Sequence, residues 1–215
     1  MKTLFIKAER KIDVDMELNI NNLNRDIENL PKEIFIAYSI QYKKLAEKIK
    51  EKLEKSGKKV RGFKQVLGCS ELKSKSPILL VSSGKFHAVN LILQDNSVFL
   101  LERDKIRKIE DKEIIRIKNQ RKAALSKFLT ADNIGIIVSC KPGQEKLQEA
   151  LKIKKTLVEK GKKAYIFAAN NISINDLENY NIDSWLNTAC PGLALDSLDS
   201  RILNTKELKN KKIAL

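Results

Sequence analysis

The feature that most constrains this chain is an internal repeat with a period of about a hundred residues. "EIFIAYS" (33–39) is a short β-rich run. "YKKLAEKIKEKLEKSG" (42–57) follows it, with Leu45, Ile49 and Leu53 at i, i+4 and i+8 on one helix face. Gly57 stops that helix, and "KKVRGFKQVLGC" returns to extended chain. The order then recurs. "NIGIIVSC" (133–140) is an almost fully apolar strand, and "GQEKLQEALKIKKTLVEKG" (143–161) is helical by the spacing of Leu147, Ala150, Leu151, Ile153, Leu157 and Val158. Gly161 closes it, and "KKAYIFAAN" is the next strand.

Apolar strands alternating with amphipathic helices predict βαβ units and mainly parallel sheets. The expected fold is therefore α/β, with two similar βαβ-type domains, 1–108 and 109–215. The boundary is set at the charged stretch "ERDKIRKIEDKEIIRIKNQRK", which leads into a helix. Between Pro77 and Leu101 the sequence reads as three strands, the last two a hairpin turned by Asp-Asn-Ser. Ligands of open α/β sheets gather beyond the carboxyl ends of the strands. Cys69 and Cys190, 121 positions apart, each follow a strand-like run. For either thiol, burial as a small hydrophobe is the alternative.

Hydrophobic residues make up 42% of the 215, enough for a core in each half. No apolar run approaches the roughly 20 residues of a membrane helix, and the N-terminal apolar run is too short for a signal peptide. A cytoplasmic protein with no membrane partner is expected. Three widely spaced cysteines, Cys69, Cys140 and Cys190, argue against a disulfide framework and leave metal binding, catalysis or burial. The net charge of +15 suggests an anionic partner. Only eight of the 42 basic residues are Arg, however, whereas readers of bases and phosphates lean on Arg forks. The excess of Lys reads as solvated surface rather than a nucleic-acid interface.

Five motifs in order carry a resemblance. They are "SIQY" (39–42), "QVLGCS" (65–70), "SSGKFHAVNL" (82–91), "DSWLNTACPGLALD" (183–196) and "ILNTKEL" (202–208). Along nearly its whole length the chain resembles the diphthamide-synthesis radical enzymes, the 2-(3-amino-3-carboxypropyl)histidine synthase family. The segment "KTLFIKAERKIDVD" is similar to the start of that family's second domain. Lys85 stands where the family usually has Arg.

The resemblance implies a protein built from similar α/β domains, each giving one Cys to a [4Fe–4S] cluster that binds S-adenosylmethionine at an open iron. It implies transfer of a 3-amino-3-carboxypropyl group to a histidine of translation elongation factor 2. Cys69 and Cys190 are the implied metal ligands, and Gln41, Gly84, Lys85 and His87 the implied cofactor-binding residues. The family's first domain and its Cys have no counterpart here. A shortened or split enzyme is expected, with a partner chain or a homo- or heterodimer completing the site. Cys140 is a candidate for the third thiolate, with burial as the alternative. His87, the only histidine, is either a site-lining residue or a hydrogen-bonded structural one. Asp196 is expected to order the Cys190 loop or to lie at the surface, and Trp185 to lie in the core. A non-catalytic accessory subunit, or a basic RNA- or ribosome-associated protein, is the alternative function.

Overall fold

A computed structural model of the chain describes residues 23–83, 86–102, 105–196 and 199–210. The backbone divides into two compact units, Met1–Ile114 and Ile115–Leu215. In the first, α1 (Asn24–Glu28) leads into β1 (Glu33–Tyr38), a 3-10 turn (Ile40–Tyr42) and α2 (Lys43–Lys55). Then come β2 (Lys59–Gln65), β3 (Ile78–Val81), α3 (Phe86–Ile92), β4 (Val98–Glu102) and β5 (Lys105–Lys108). The sheet order is β2-β1-β3-β4-β5, parallel except for the final β4–β5 pair.

Helix α4 (Asp111–Thr130) leads into the second unit. There follow β6 (Asn133–Ser139), α5 (Leu147–Glu159), β7 (Lys163–Ala169), α6 (Ile174–Leu177), β8 (Ser184–Asn187), α7 (Gly192–Leu195), β9 (Ile202–Asn204) and α8 (Thr205–Asn210). The order β7-β6-β8-β9 is wholly parallel. The fold is the α/β fold with mainly parallel sheets that the alternating pattern predicts.

The repeat is visible atom by atom. Lys58 N–H donates to Leu53 and Lys162 N–H to Leu157, each closing the helix before it. Gly57 and Gly161 precede these lysines with φ of 76° and 80°, a conformation in which a side chain would be strained. The Lys58 ammonium donates to the Glu28 and Leu30 carbonyls at the C-terminal end of α1, and Lys162 donates to those of Leu129 and Ala131 at the C-terminal end of α4.

Burial of Leu45, Ala46, Ile49 and Leu53 seats α2 on its sheet. Each fully buried Leu or Ile contributes about 1.5–3 kcal/mol. Helix α5 buries a narrower stripe, Ala150, Ile153 and Leu157. Leu147, Leu151 and Val158, expected on that face, are exposed instead. They form a second stripe about 100° further round the helix.

The reading of Pro77–Leu101 as three strands fails in its middle. "FHAVNLI" is helix α3, and Ala88, Val89, Leu91 and Ile92 are its buried face. Those positions are i, i+1, i+3 and i+4, the spacing of one side of a helix. The only antiparallel pair is therefore β4–β5 among the described residues, not a hairpin ending at Leu101.

Candidate functional site

The strand registers fix which loops correspond. Glu33 pairs with Lys59 at the start of β1, and Asn133 with Lys163 at the start of β6. Phe35 pairs with Ile78, and Gly135 with Trp185. Continuing both registers, Cys140 corresponds to Ile40, and Cys190 corresponds to Ser83. Cys69 follows β2, whose counterpart β7 leads into Asn170-Asn171-Ile172. The two cysteines thus follow strand ends, but not equivalent strands. Their positions come from each loop separately and not from the repeat.

In both units the topological switch point lies between the two central strands, β1 and β3 or β6 and β8, because the chain leaves them toward opposite edges. Ser39 and Ser82 stand there in the first unit. Cys140 and Cys190 stand there in the second, each three residues past the paired Ile137 and Asn187.

A polar clamp shapes the Cys190 loop. The Asn187 amide, buried to 1% exposure, donates to the Cys190 carbonyl at 2.9 Å and to Asn204 Oδ1 at 2.7 Å. Its own oxygen accepts the Ala189 N–H at 2.9 Å. Arg121 of α4, 4% exposed, holds the far side of the loop. It donates to the carbonyls of Ala194, Asp199 and Ile202, and it forks onto Glu207 at 2.9 and 2.7 Å. Burial pulls the Asp199 carboxyl up, yet the hydrogen bonds from Arg201 outweigh it and leave that group below the usual carboxylate value. Trp185 is buried, as expected. Asp196 is exposed, and its N–H bonds the Gly192 carbonyl.

The Cys69 loop is fastened to α3 and the turn after it. Asn90 and Gln94 donate to the Ser70 carbonyl at 2.9 and 3.0 Å, and Gln94 accepts the Leu72 N–H at 2.7 Å. Asn96 donates to the Leu72 carbonyl at 2.8 Å. Gly68 packs so closely on Phe86 that a Cβ there would come within 1.6 Å of the ring. Cys69 and Cys140 are exposed, Cys190 is partly exposed, and none of the three is in a disulfide. The buried-hydrophobe alternative fails for all three.

Of the other expected site residues, Gln41 is exposed in the 3-10 turn after β1. His87 lies on α3, half-buried, its ring 5.4 Å from that of Phe86. Gly84 and Lys85 lie outside the described residues. Sequence reasoning missed Asn187, Arg121 and Asn204. A faint signal existed for Asn187 alone, a polar residue ending an apolar strand just before a turn.

In kind, exposed thiols fit an iron–sulfur group, because thiolates are its usual ligands. No group of three or more His, Cys, Asp and Glu side chains arranged to hold a metal ion occurs among the described residues. Nor is any described helix long and apolar enough to cross a membrane.

Open, mainly parallel sheets, with thiols on loops beyond strand ends, define an α/β protein. The chain belongs to the family whose model, described as "Putative diphthamide synthesis protein", matches residues 1–209. It is 28% identical over 222 residues to the 2-(3-amino-3-carboxypropyl)histidine synthase of Pyrococcus horikoshii. That match covers 96% of this chain and 64% of the relative, so the chain spans less than two thirds of the relative's length. The crystal structure of Dph2 from Pyrococcus horikoshii with a 4Fe–4S cluster superposes with a TM-score of 0.74 at 26% identity, covering 91% of this chain and 61% of that one. A second Dph2 crystal structure from the same organism gives a TM-score of 0.75 with the same coverage.

Proposed function

We propose that this chain takes part in diphthamide biosynthesis. In this reading it transfers a 3-amino-3-carboxypropyl group from S-adenosylmethionine to a histidine of translation elongation factor 2. The single observation that carries the reading is the pair of accessible thiols, Cys69 and Cys190, on loops fixed by built-in hydrogen-bond clamps. It is supported by a relative of the same fold whose crystal structure contains a 4Fe–4S cluster.

Cys69 and Cys190 would hold the [4Fe–4S] cluster, which when bound supplies the electron for reductive cleavage of S-adenosylmethionine. The protein's share is orientation and water exclusion. Asn187 and Arg121 fix the Cys190 loop, and α3 fixes the Cys69 loop. Gln41 and His87 would contact the cofactor from the first unit. Two thiolates are one fewer than a cluster with a single open iron needs. A partner chain, or a second copy, therefore completes the set, or Cys140 does.

The test is anaerobic loading with iron and sulfide, read by iron content and visible absorbance. Cys69→Ala and Cys190→Ala should each lower iron retention sharply, whereas retention unaffected by both changes would refute the ligand assignment. An accessory role has one observation in its favour, the count of two family thiols. Cluster binding without transfer, even with a partner present, would establish it.

A further inference from the structure

Two buried hydroxyls stand at the switch point of the first unit. Ser39 is 8% exposed and Ser82 is 9% exposed, and neither Oγ has a hydrogen-bond partner. They stand at matched register. Tyr38 pairs with Val81 at the end of the β1–β3 ladder, and the Ser39 N–H donates to the Val81 carbonyl at 3.1 Å. Neighbouring strands lie about 4.8 Å apart, and alternation puts both serines on the face opposite Tyr38 and Val81. Each could reach a common third group.

Ser39 also occupies the N-cap position of the helical run that begins with the 3-10 turn and continues through α2. A serine there ordinarily accepts a hydrogen bond from the helix's first N–H groups. This one makes no such bond. A hydroxyl left buried and unpaired is destabilising, because it has given up its water without gaining a partner. Two of them side by side, beyond the ends of central strands, fit a ligand oxygen better than a fault in the core. Two hydroxyl donors without acceptors suit a ligand group with two accepting oxygens, such as a carboxylate.

We infer that Ser39 and Ser82 donate to the carboxylate of the ligand bound at this switch point. Under the function proposed above, on which this rests, that group is the amino-acid carboxylate of S-adenosylmethionine. The serines are binding residues for the end of the cofactor that becomes the transferred group.

The test compares S-adenosylmethionine with decarboxylated S-adenosylmethionine, by calorimetric affinity on cluster-loaded protein. Wild type should prefer the carboxylated nucleotide. Ser39→Ala and Ser82→Ala should each erode the preference about tenfold, and the double variant should bind both alike. The melting temperature of the unliganded variants should hold or rise, since an unsatisfied buried hydroxyl has been removed. Retained discrimination in the double variant overturns the inference while leaving the cofactor reading intact. A lowered melting temperature with unchanged affinities also overturns it, and assigns the hydroxyls to a buried water. If wild type binds neither nucleotide, the cofactor reading fails and takes the inference with it.

Discussion

The side-chain amide of Asn187 donates to the backbone carbonyl of Cys190 at 2.9 Å, across the turn that carries the thiol. The same amide group bonds Asn204 and the Ala189 N–H, so one buried residue ties β8, the cysteine turn and β9 together. Asn187→Ala removes three hydrogen bonds and leaves the Asn204 amide oxygen short of its partner. The expected cost is about 1–3 kcal/mol, read by urea denaturation. Iron retention should fall with it, and Asn187→Asp should recover neither, since a carboxylate cannot donate to the Cys190 carbonyl. An unchanged unfolding midpoint would show that the clamp is dispensable.

Arg121 anchors the other side of the same loop from within the core. Removing it takes the guanidinium fork from the partly buried Glu207, which keeps only the Asn204 N–H, and the expected cost is about 1–3 kcal/mol. Arg121→Met should therefore shift the unfolding midpoint strongly, and a second change, Glu207→Leu, should restore part of the loss. If the double variant is as unstable as the single, the carbonyl contacts to Ala194, Asp199 and Ile202 dominate instead.

Gly68 leaves no room for a methyl group against Phe86. Gly68→Ala should displace the Cys69 loop from α3. The alkylation rate of Cys69 should change while that of Cys190 stays as in wild type. Equal rates in both proteins would mean that the Phe86 ring yields without moving the loop.

Acid should loosen the start of the second sheet. The Asn133 N–H, and after it that of Asp132, hold the exposed Asp183 carboxyl below its ordinary value. A carboxyl lowered in the folded state stabilises the fold above its unfolded value and loses that contribution as pH falls through the folded one. The melting temperature should drop below about pH 4, in the carboxylate range. Asp183→Asn should flatten that drop and lower the plateau at neutral pH. A profile identical to wild type would remove Asp183 from the account.

The repeat, the helix stops at Gly57 and Gly161 and the α2 face were legible because each depends on residues close in sequence. Helix α3 was misread because seven residues with Phe86, Val89 and Ile92 among them also suit a strand, and length could not decide. The thiols could be read from residue type and motif. The clamps could not: Arg121 meets Glu207 86 positions away, and Asn187 meets Asn204 17 positions away. The burial that leaves Ser39 and Ser82 unpaired likewise exists only once the strands are side by side.

The most direct measurement of the central claim is mass spectrometry of elongation factor 2. The cluster-loaded chain is incubated anaerobically with dithionite and S-adenosylmethionine, with and without a co-expressed family chain supplying one further cysteine domain. The account predicts a 3-amino-3-carboxypropyl adduct on one histidine when the partner is present, and little without it. Robust modification by the isolated chain would contradict the partner requirement, and Cys140→Ala would then show whether Cys140 is the third thiolate. No adduct from the loaded complex would contradict the transferase assignment itself.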